Sequence, residues 1–196
     1  MVGENSRKAF AQLVFGGVFE RHAGLSLVFT EQLGLWWTRL LSELDGVFAH
    51  TYGEDTKLPR IPSEYAAEHL YMGASCMAPF EAEDAVANGY VPNMLWGTDY
   101  PHPEGTWQYS RRDGEPQMTH LAIRDTFATI PLPETAMMLG QNAARLYGFE
   151  LQALEKVAES IQAPTYGELR TPYCDEPEDQ RTRGATFAFR RHSAWD

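Results

Sequence analysis

Asp99 closes a short apolar run, Asn93-Met94-Leu95-Trp96-Gly97-Thr98, and opens the loop Asp99-Tyr100-Pro101-His102-Pro103-Glu104. A carboxylate directly after a buried strand stands where ligands collect in parallel β/α folds. There it can bind a divalent metal or take a proton from a metal-bound water. A plainer role is also available, an aspartate capping the turn into proline, and the local sequence does not choose between the two. Glu31 follows a second such run, Leu25-Ser26-Leu27-Val28-Phe29-Thr30. Its carboxylate could serve a similar site, but near the start of a helix it would gain from the helix dipole without any chemistry, and that structural reading outweighs the functional one. His102, between two prolines, is a candidate substrate contact, with a solvent histidine the equal alternative. Trp96 and Trp107 flank the Asp99 loop as candidates to line a pocket, whereas Trp36 and Trp37 sit at helical spacing and read as core. His22, His50, His69, His120 and His192 show no HxH or HxxxH spacing and read as surface or helix-end residues.

These residues need elements to position them. Phe10, Leu13, Val14, Gly17 and Val18 predict a helix over Ser6 to Arg21, followed by a buried strand, Leu25 to Thr30. Leu33, Trp36, Trp37, Leu40, Leu41 and Leu44 predict an amphipathic helix closed by Asp45-Gly46. Ser63 is a plausible cap for a short helical turn, Glu64 to Glu68. Leu70 to Cys76 reads as the second strand, Glu81 to Asn88 as a helix stopped by Gly89, and Asn93 to Thr98 as the third strand. Further helices are expected over Met118 to Ala128, Glu134 to Leu139, Asn142 to Tyr147 with Asn142 as N-cap, and Glu150 to Ile161. Beyond these, Tyr173 to Gly184 reads as loosely ordered, and the aromatic, basic stretch Thr186 to Trp195 as a docking tail. Apolar strands alternating with amphipathic helices indicate an α/β fold of about three β/α units, its parallel strands buried on both faces.

Composition narrows the partners. The 196 residues carry 16 Lys+Arg against 27 Asp+Glu, a net charge of −11, with basic residues only in short pairs. Nucleic-acid binding needs clustered cations, so it is excluded as a reading. Apolar runs fall far short of the ~20 residues of a membrane span, and the N-terminus does not read as a signal peptide. Cys76 and Cys174 are far apart without CxxC spacing, which fits a reducing compartment. The expectation is a cytoplasmic protein acting on a small molecule. Its length is below the roughly 250 residues typical of a closed eight-stranded β/α barrel.

Four segments carry a resemblance: Leu13-Val14-Phe15-Gly16-Gly17-Val18-Phe19-Glu20-Arg21-His22; Leu27-Val28-Phe29-Thr30-Glu31-Gln32; Met94-Leu95-Trp96-Gly97-Thr98-Asp99-Tyr100-Pro101-His102; and Gly140-Gln141-Asn142-Ala143-Ala144-Arg145-Leu146-Tyr147-Gly148-Phe149. In this order, over about residues 5 to 150, they resemble the C-terminal half of the amidohydrolase-related family. That family comprises metal-dependent TIM-barrel hydrolases and decarboxylases of the aminocarboxymuconate-semialdehyde decarboxylase kind. The resemblance implies a partial TIM (β/α)8 barrel, strands six to eight plus C-terminal helices, with residues 151 to 196 forming a helix and polar tail.

The resemblance also implies that Asp99 is the eighth-strand aspartate, a metal ligand that shuttles protons for the metal-bound water. Glu31 occupies a position where much of the family has a histidine. With His102 and Trp107 it would contact substrate. The implied cofactor is a divalent metal, zinc or manganese, yet the family's HxH pair after the first strand and its histidine after the fifth have no counterpart. The isolated chain is therefore expected to be inactive. The alternative is a non-catalytic remnant or interaction module that pairs through an open sheet edge, with itself or with a separately encoded N-terminal half.

Overall fold

Three short apolar strands form one sheet in the order β1-β2-β3: β1 Leu27–Thr30, β2 Leu70–Ser75 and β3 Met94–Gly97. The computed structural model describes residues 4–32, 34–52, 57–107, 117–171 and 186–190. β1 and β2 run parallel, Leu27 opposite Leu70 and Thr30 opposite Gly73. Gly73 permits the close approach, since a Cβ there would lie 3.1 Å from Thr30 Cγ2 and 3.2 Å from the Phe29 carbonyl oxygen. The chain forms two compact units, the first reaching Gly73 and the second beginning at Ala74, so the division falls within β2.

In the first unit, the single helix expected over Ser6 to Arg21 is two, α1 Glu4–Phe15 and α2 Val18–Arg21. Gly17 separates them with a left-handed φ of 64°. Periodicity carried across this break because the apolar face continues through it. Leu33 lies outside the described residues, and the next helix, α3 Trp36–Val47, starts later than predicted. Asp45-Gly46 does not end it, for the chain winds on into a π-helical turn, Phe48–Tyr52. Trp36 and Trp37 are core residues as read, with the Phe10 ring 5.9 Å from Trp37.

Ser63 is not a cap. Helix α4 Pro62–His69 begins at Ile61, whose N–H donates to the Glu64 carboxylate, while Ser63 donates its own N–H to Asp45 Oδ1 at 2.9 Å. His69 ends that helix but is buried: its ring stacks on Phe19 at 4.7 Å, and Nδ1 lies 2.9 Å from the Leu25 carbonyl.

In the second unit, helix α5 Pro79–Asn88 stops at left-handed Gly89, as the Asn-Gly pair predicts. Helix α6 Met118–Phe127 follows the loop beyond β3. Then α7 Leu132–Ala136, a π-helical turn Met137–Gln141 and α8 Asn142–Tyr147 run on without interruption. Asn142 therefore lies inside a helical run and caps nothing. Its fully buried side chain donates to the carbonyls of Val91 (2.7 Å) and Met94 (2.8 Å), tying the helix to the start of β3. Helix α9 Leu151–Ser160 is amphipathic as expected, but Leu151, Leu154 and Val157 are exposed, as is Ile161 just beyond it. The segment read as loosely ordered, Tyr173 to Gly184, lies outside the described residues. Of the docking tail, Thr186 to Arg190 is described, and it does dock, with Ala188 buried against Cys76 and Ala122.

Candidate active site around Asp99

β3 ends at Gly97, and two residues later Asp99 takes a left-handed φ of 62°. Its carbonyl accepts the His102 N–H at 2.8 Å, closing a turn that contains the cis Tyr100–Pro101 peptide. The turn is thus closed through the main chain of Asp99, the residue whose carboxylate the candidate site is built around. That carboxylate is withdrawn from water, at 7% exposure, with Oδ1 3.5 Å from His102 Nδ1 and Oδ2 3.6 Å from Cys76 Sγ. Burial, reinforced by the neighbouring Asp99 charge, pushes the Cys76 thiol up to about 12, so it stays protonated and donates.

The loop folds back on β3. Thr106 donates its N–H to the Thr98 carbonyl at 2.8 Å, and Thr119 Oγ1 donates to the Thr106 carbonyl at 2.7 Å. The His102 carbonyl receives both the Gly105 N–H at 3.0 Å and the Trp107 indole N–H at 2.7 Å. Trp107 also meets Tyr100 edge-on, with centroids 5.2 Å apart. Its polar atom therefore braces the loop, while the His102 ring is half exposed. Trp96, the other flanking tryptophan, is half-buried on β3 itself.

Glu31 belongs to the first unit, immediately after β1. It has a left-handed φ of 56° and donates its N–H to the Gly73 carbonyl at 3.2 Å. Because α3 begins only at Trp36, Glu31 is outside its first turn, and the helix-dipole explanation of this residue is lost. Of the sequence candidates, then, Asp99, His102 and Trp107 share one loop in the second unit, and Glu31 stands at a strand end in the first.

Two further residues belong to the surroundings of Asp99: Cys76, which immediately follows β2 as Asp99 follows β3, and Arg190, whose only signal in the sequence is the basic character of the tail. As metal donors, the Asp99 carboxylate and the His102 ring nitrogen have the right chemistry for a divalent ion. A catalytic ion takes three or more protein ligands, and among the described residues no such group of three lies wholly within the second unit. Within the described second unit the donor types fit and their number falls short.

The family model for amidohydrolases matches residues 3–149. The chain belongs to the amidohydrolase family. No protein of curated function matches it. Among solved structures it is similar to an amidohydrolase from Mycobacterium avium subsp. paratuberculosis, with 20% identity and a TM-score of 0.56 over 71% of this chain and 32% of that one. It is also similar to 5-carboxyvanillate decarboxylase from Sphingomonas paucimobilis, with 23% identity and a TM-score of 0.51 over 71% of this chain and 38% of that one. A third similar structure is the apo form of IDCase from Metarhizium anisopliae, with 18% identity and a TM-score of 0.54 over 73% of this chain and 39% of that one.

At these identities the likeness is one of fold, and this amidohydrolase chain spans between about a third and two fifths of each structure it resembles. The matched region takes in all three strands, the Asp99 loop and the Asn142 helix, so each motif behind the sequence resemblance lies inside it. Among the described residues, no helix of this amidohydrolase is long and apolar enough to cross a membrane.

Proposed function

We propose that this chain carries the last three β/α units of a metal-dependent amidohydrolase-type enzyme that hydrolyses a carbonyl-derived bond or removes a carboxylate from a small organic acid. One observation supports it above the rest: the Asp99 carboxylate, just beyond the end of β3, is nearly buried and paired at 3.5 Å with an accessible imidazole. A divalent ion, zinc or manganese, would supply Lewis-acid polarisation and a more acidic water when bound. Asp99, with His102 beside it, is the residue of this chain placed to hold it. Asp99 moves the proton at its carboxylate. The half-exposed His102 ring contacts substrate. Trp107 holds His102 in place through the carbonyl it braces and offers its ring to the same loop.

By itself the chain does not turn over, because the described second unit brings Asp99 and His102 together as donors and a catalytic ion needs three or more. The test is to purify it, add zinc or manganese, and assay small esters, amides and aromatic acids, the last because one similar structure is a 5-carboxyvanillate decarboxylase. No turnover is expected. Metal-dependent turnover abolished by Asp99→Asn would overturn the inactivity while upholding the role of Asp99.

A second reading is favoured by the three-stranded sheet, whose order leaves β1 and β3 at its edges among the described residues, and by the exposed Leu151, Leu154, Val157 and Ile161. It makes the chain an interaction module, pairing with itself or with a separately encoded N-terminal half. Size-exclusion chromatography and calorimetric metal titration separate the two. A stable dimer without metal favours the module, and tight metal binding by a monomer counts against it.

A further inference from the structure

Residues Thr186–Arg190 close over the turn that follows β2. Phe187 donates its N–H to the Glu104 carbonyl at 3.2 Å, and Ala188 is fully buried against Cys76 and Ala122. Arg190 Nη1 donates to the carbonyls of Cys76 and Phe187, both at 2.7 Å, and its guanidinium lies 5.4 Å over the Phe80 ring. It also pairs with Glu81, the two side chains being 11% and 5% exposed. Glu81 is itself fixed, accepting the Ala78 N–H at 2.8 Å. The Cys76 thiol lies between two acceptors, Asp99 Oδ2 and the Glu104 carbonyl, each at 3.6 Å. The tail therefore grips the carbonyl of Cys76 itself and that of Glu104, the second of which also faces the thiol.

We propose that Cys76 is a positioning residue for Asp99, its S–H donating to Oδ2, and that Arg190 positions Cys76 by locking the 186–190 turn against it. The proposal rests on the reading of Asp99 as the reacting carboxylate. One thiol proton shared between a neutral carbonyl and a carboxylate goes to the charged acceptor, which binds it more strongly. A neutral donor fixes the rotamer of Asp99, keeping Oδ1 toward His102, and adds no charge to the site. The Arg190 guanidinium is held by the buried ion pair, by two carbonyls and by an aromatic face. Removing Arg190 leaves the Glu81 carboxylate buried and uncompensated.

The readout is the infrared S–H stretch of a Cys174→Ser chain, in which Cys76 is the sole thiol. It is read beside the rate at which iodoacetamide alkylates Cys76 at fixed pH. A single band displaced below the free-thiol frequency is expected, together with slow alkylation. Asp99→Asn moves the band toward the free position. Arg190→Ala broadens it and speeds alkylation by roughly tenfold or more, as the covering turn opens locally. Arg190→Lys, which keeps the charge beside Glu81, restores part of the protection and carries the comparison if Arg190→Ala fails to fold. A parent band at the free-thiol frequency, or one unmoved by Asp99→Asn, overturns the contact to Asp99. Folded Arg190 variants with the parent's band and rate overturn the lock. Neither readout involves metal or turnover, so a failure of the Cys76 contact and a failure of the catalytic reading are told apart.

Discussion

His102 Nδ1 lies 3.5 Å from Asp99 Oδ1, placing an imidazole and a carboxylate side by side at the end of β3. Their environments differ, since the ring is 48% exposed and the carboxyl side chain 7%. Removing the ring should therefore cost little folding energy, within about 0.5 kcal/mol for an exposed side chain. Zinc titrated calorimetrically into the parent should bind weakly, and both His102→Ala and Asp99→Asn should abolish even that. Uptake that survives both variants would place the ion elsewhere.

Gly105 fits where no side chain does. A Cβ there would meet the Thr98 carbonyl oxygen at 2.5 Å, Trp107 Cδ1 at 2.9 Å and the Asp99 carbonyl oxygen at 3.0 Å. Two of these are backbone atoms of the site loop, so the loop has to shift. Gly105→Ala should destabilise by about 1–3 kcal/mol, as overpacking does, and should move the tryptophan emission as Trp107 loses its place. A parent-like urea midpoint together with an unchanged spectrum would contradict this.

Asn142 and Arg145 belong to the motif that carried much of the family resemblance, and both serve the start of β3. Replacing Asn142 by alanine leaves the Val91 and Met94 carbonyls without their buried donor, a loss of about 2–4 kcal/mol. Arg145 donates to the Pro92 carbonyl at 2.9 Å from an exposed position, so Arg145→Ala should cost about 1 kcal/mol. Chemical denaturation of the two variants should rank them in that order.

Stability of the first unit should depend on pH through the Glu20, Arg60, Tyr65 and Glu68 network. The Tyr65 hydroxyl donates to Glu20 at 2.6 Å and, with Arg60, holds the Glu20 carboxyl below its ordinary value, while Arg60 does the same for Glu68. Groups depressed in the folded state contribute stability that is present above their unfolded values and lost as pH falls through the folded ones. The Tyr65 hydroxyl is raised, first by burial and then by its bond to Glu20, so its contribution is present below its ordinary value and lost as pH rises through the raised one. Thermal melts should show a plateau at neutral pH with an acid and an alkaline limb. Tyr65→Phe should flatten the alkaline limb and soften the acid one, and melts of Tyr65→Phe that overlay the parent at every pH would reject the account.

The strands were legible because each is a short apolar run with a turn signal at its end, and the structure trims each by a residue or two without moving it. The break between α1 and α2 was hidden, since Gly17 lies on the apolar face and the periodicity of its neighbours continues across it. Asn142 was misread because a helix start and a helix interior differ in what precedes them. The residues before it form a π-helical turn, which carries no local signature. Glu31 looked like a first-turn carboxylate only while its helix was taken to begin at Leu33.

By itself the sequence determined the α/β class, the three strand sites, the acidic character and the place of Asp99, because these depend on residue type and on spacing along the chain. Tertiary structure alone decided what surrounds Asp99. Its main chain closes the turn and leaves the carboxylate beside His102, and a cysteine 23 residues earlier and an arginine 114 residues beyond that cysteine are brought to the same place. Contacts between residues so far apart in the chain depend on how the elements pack, which no local pattern records.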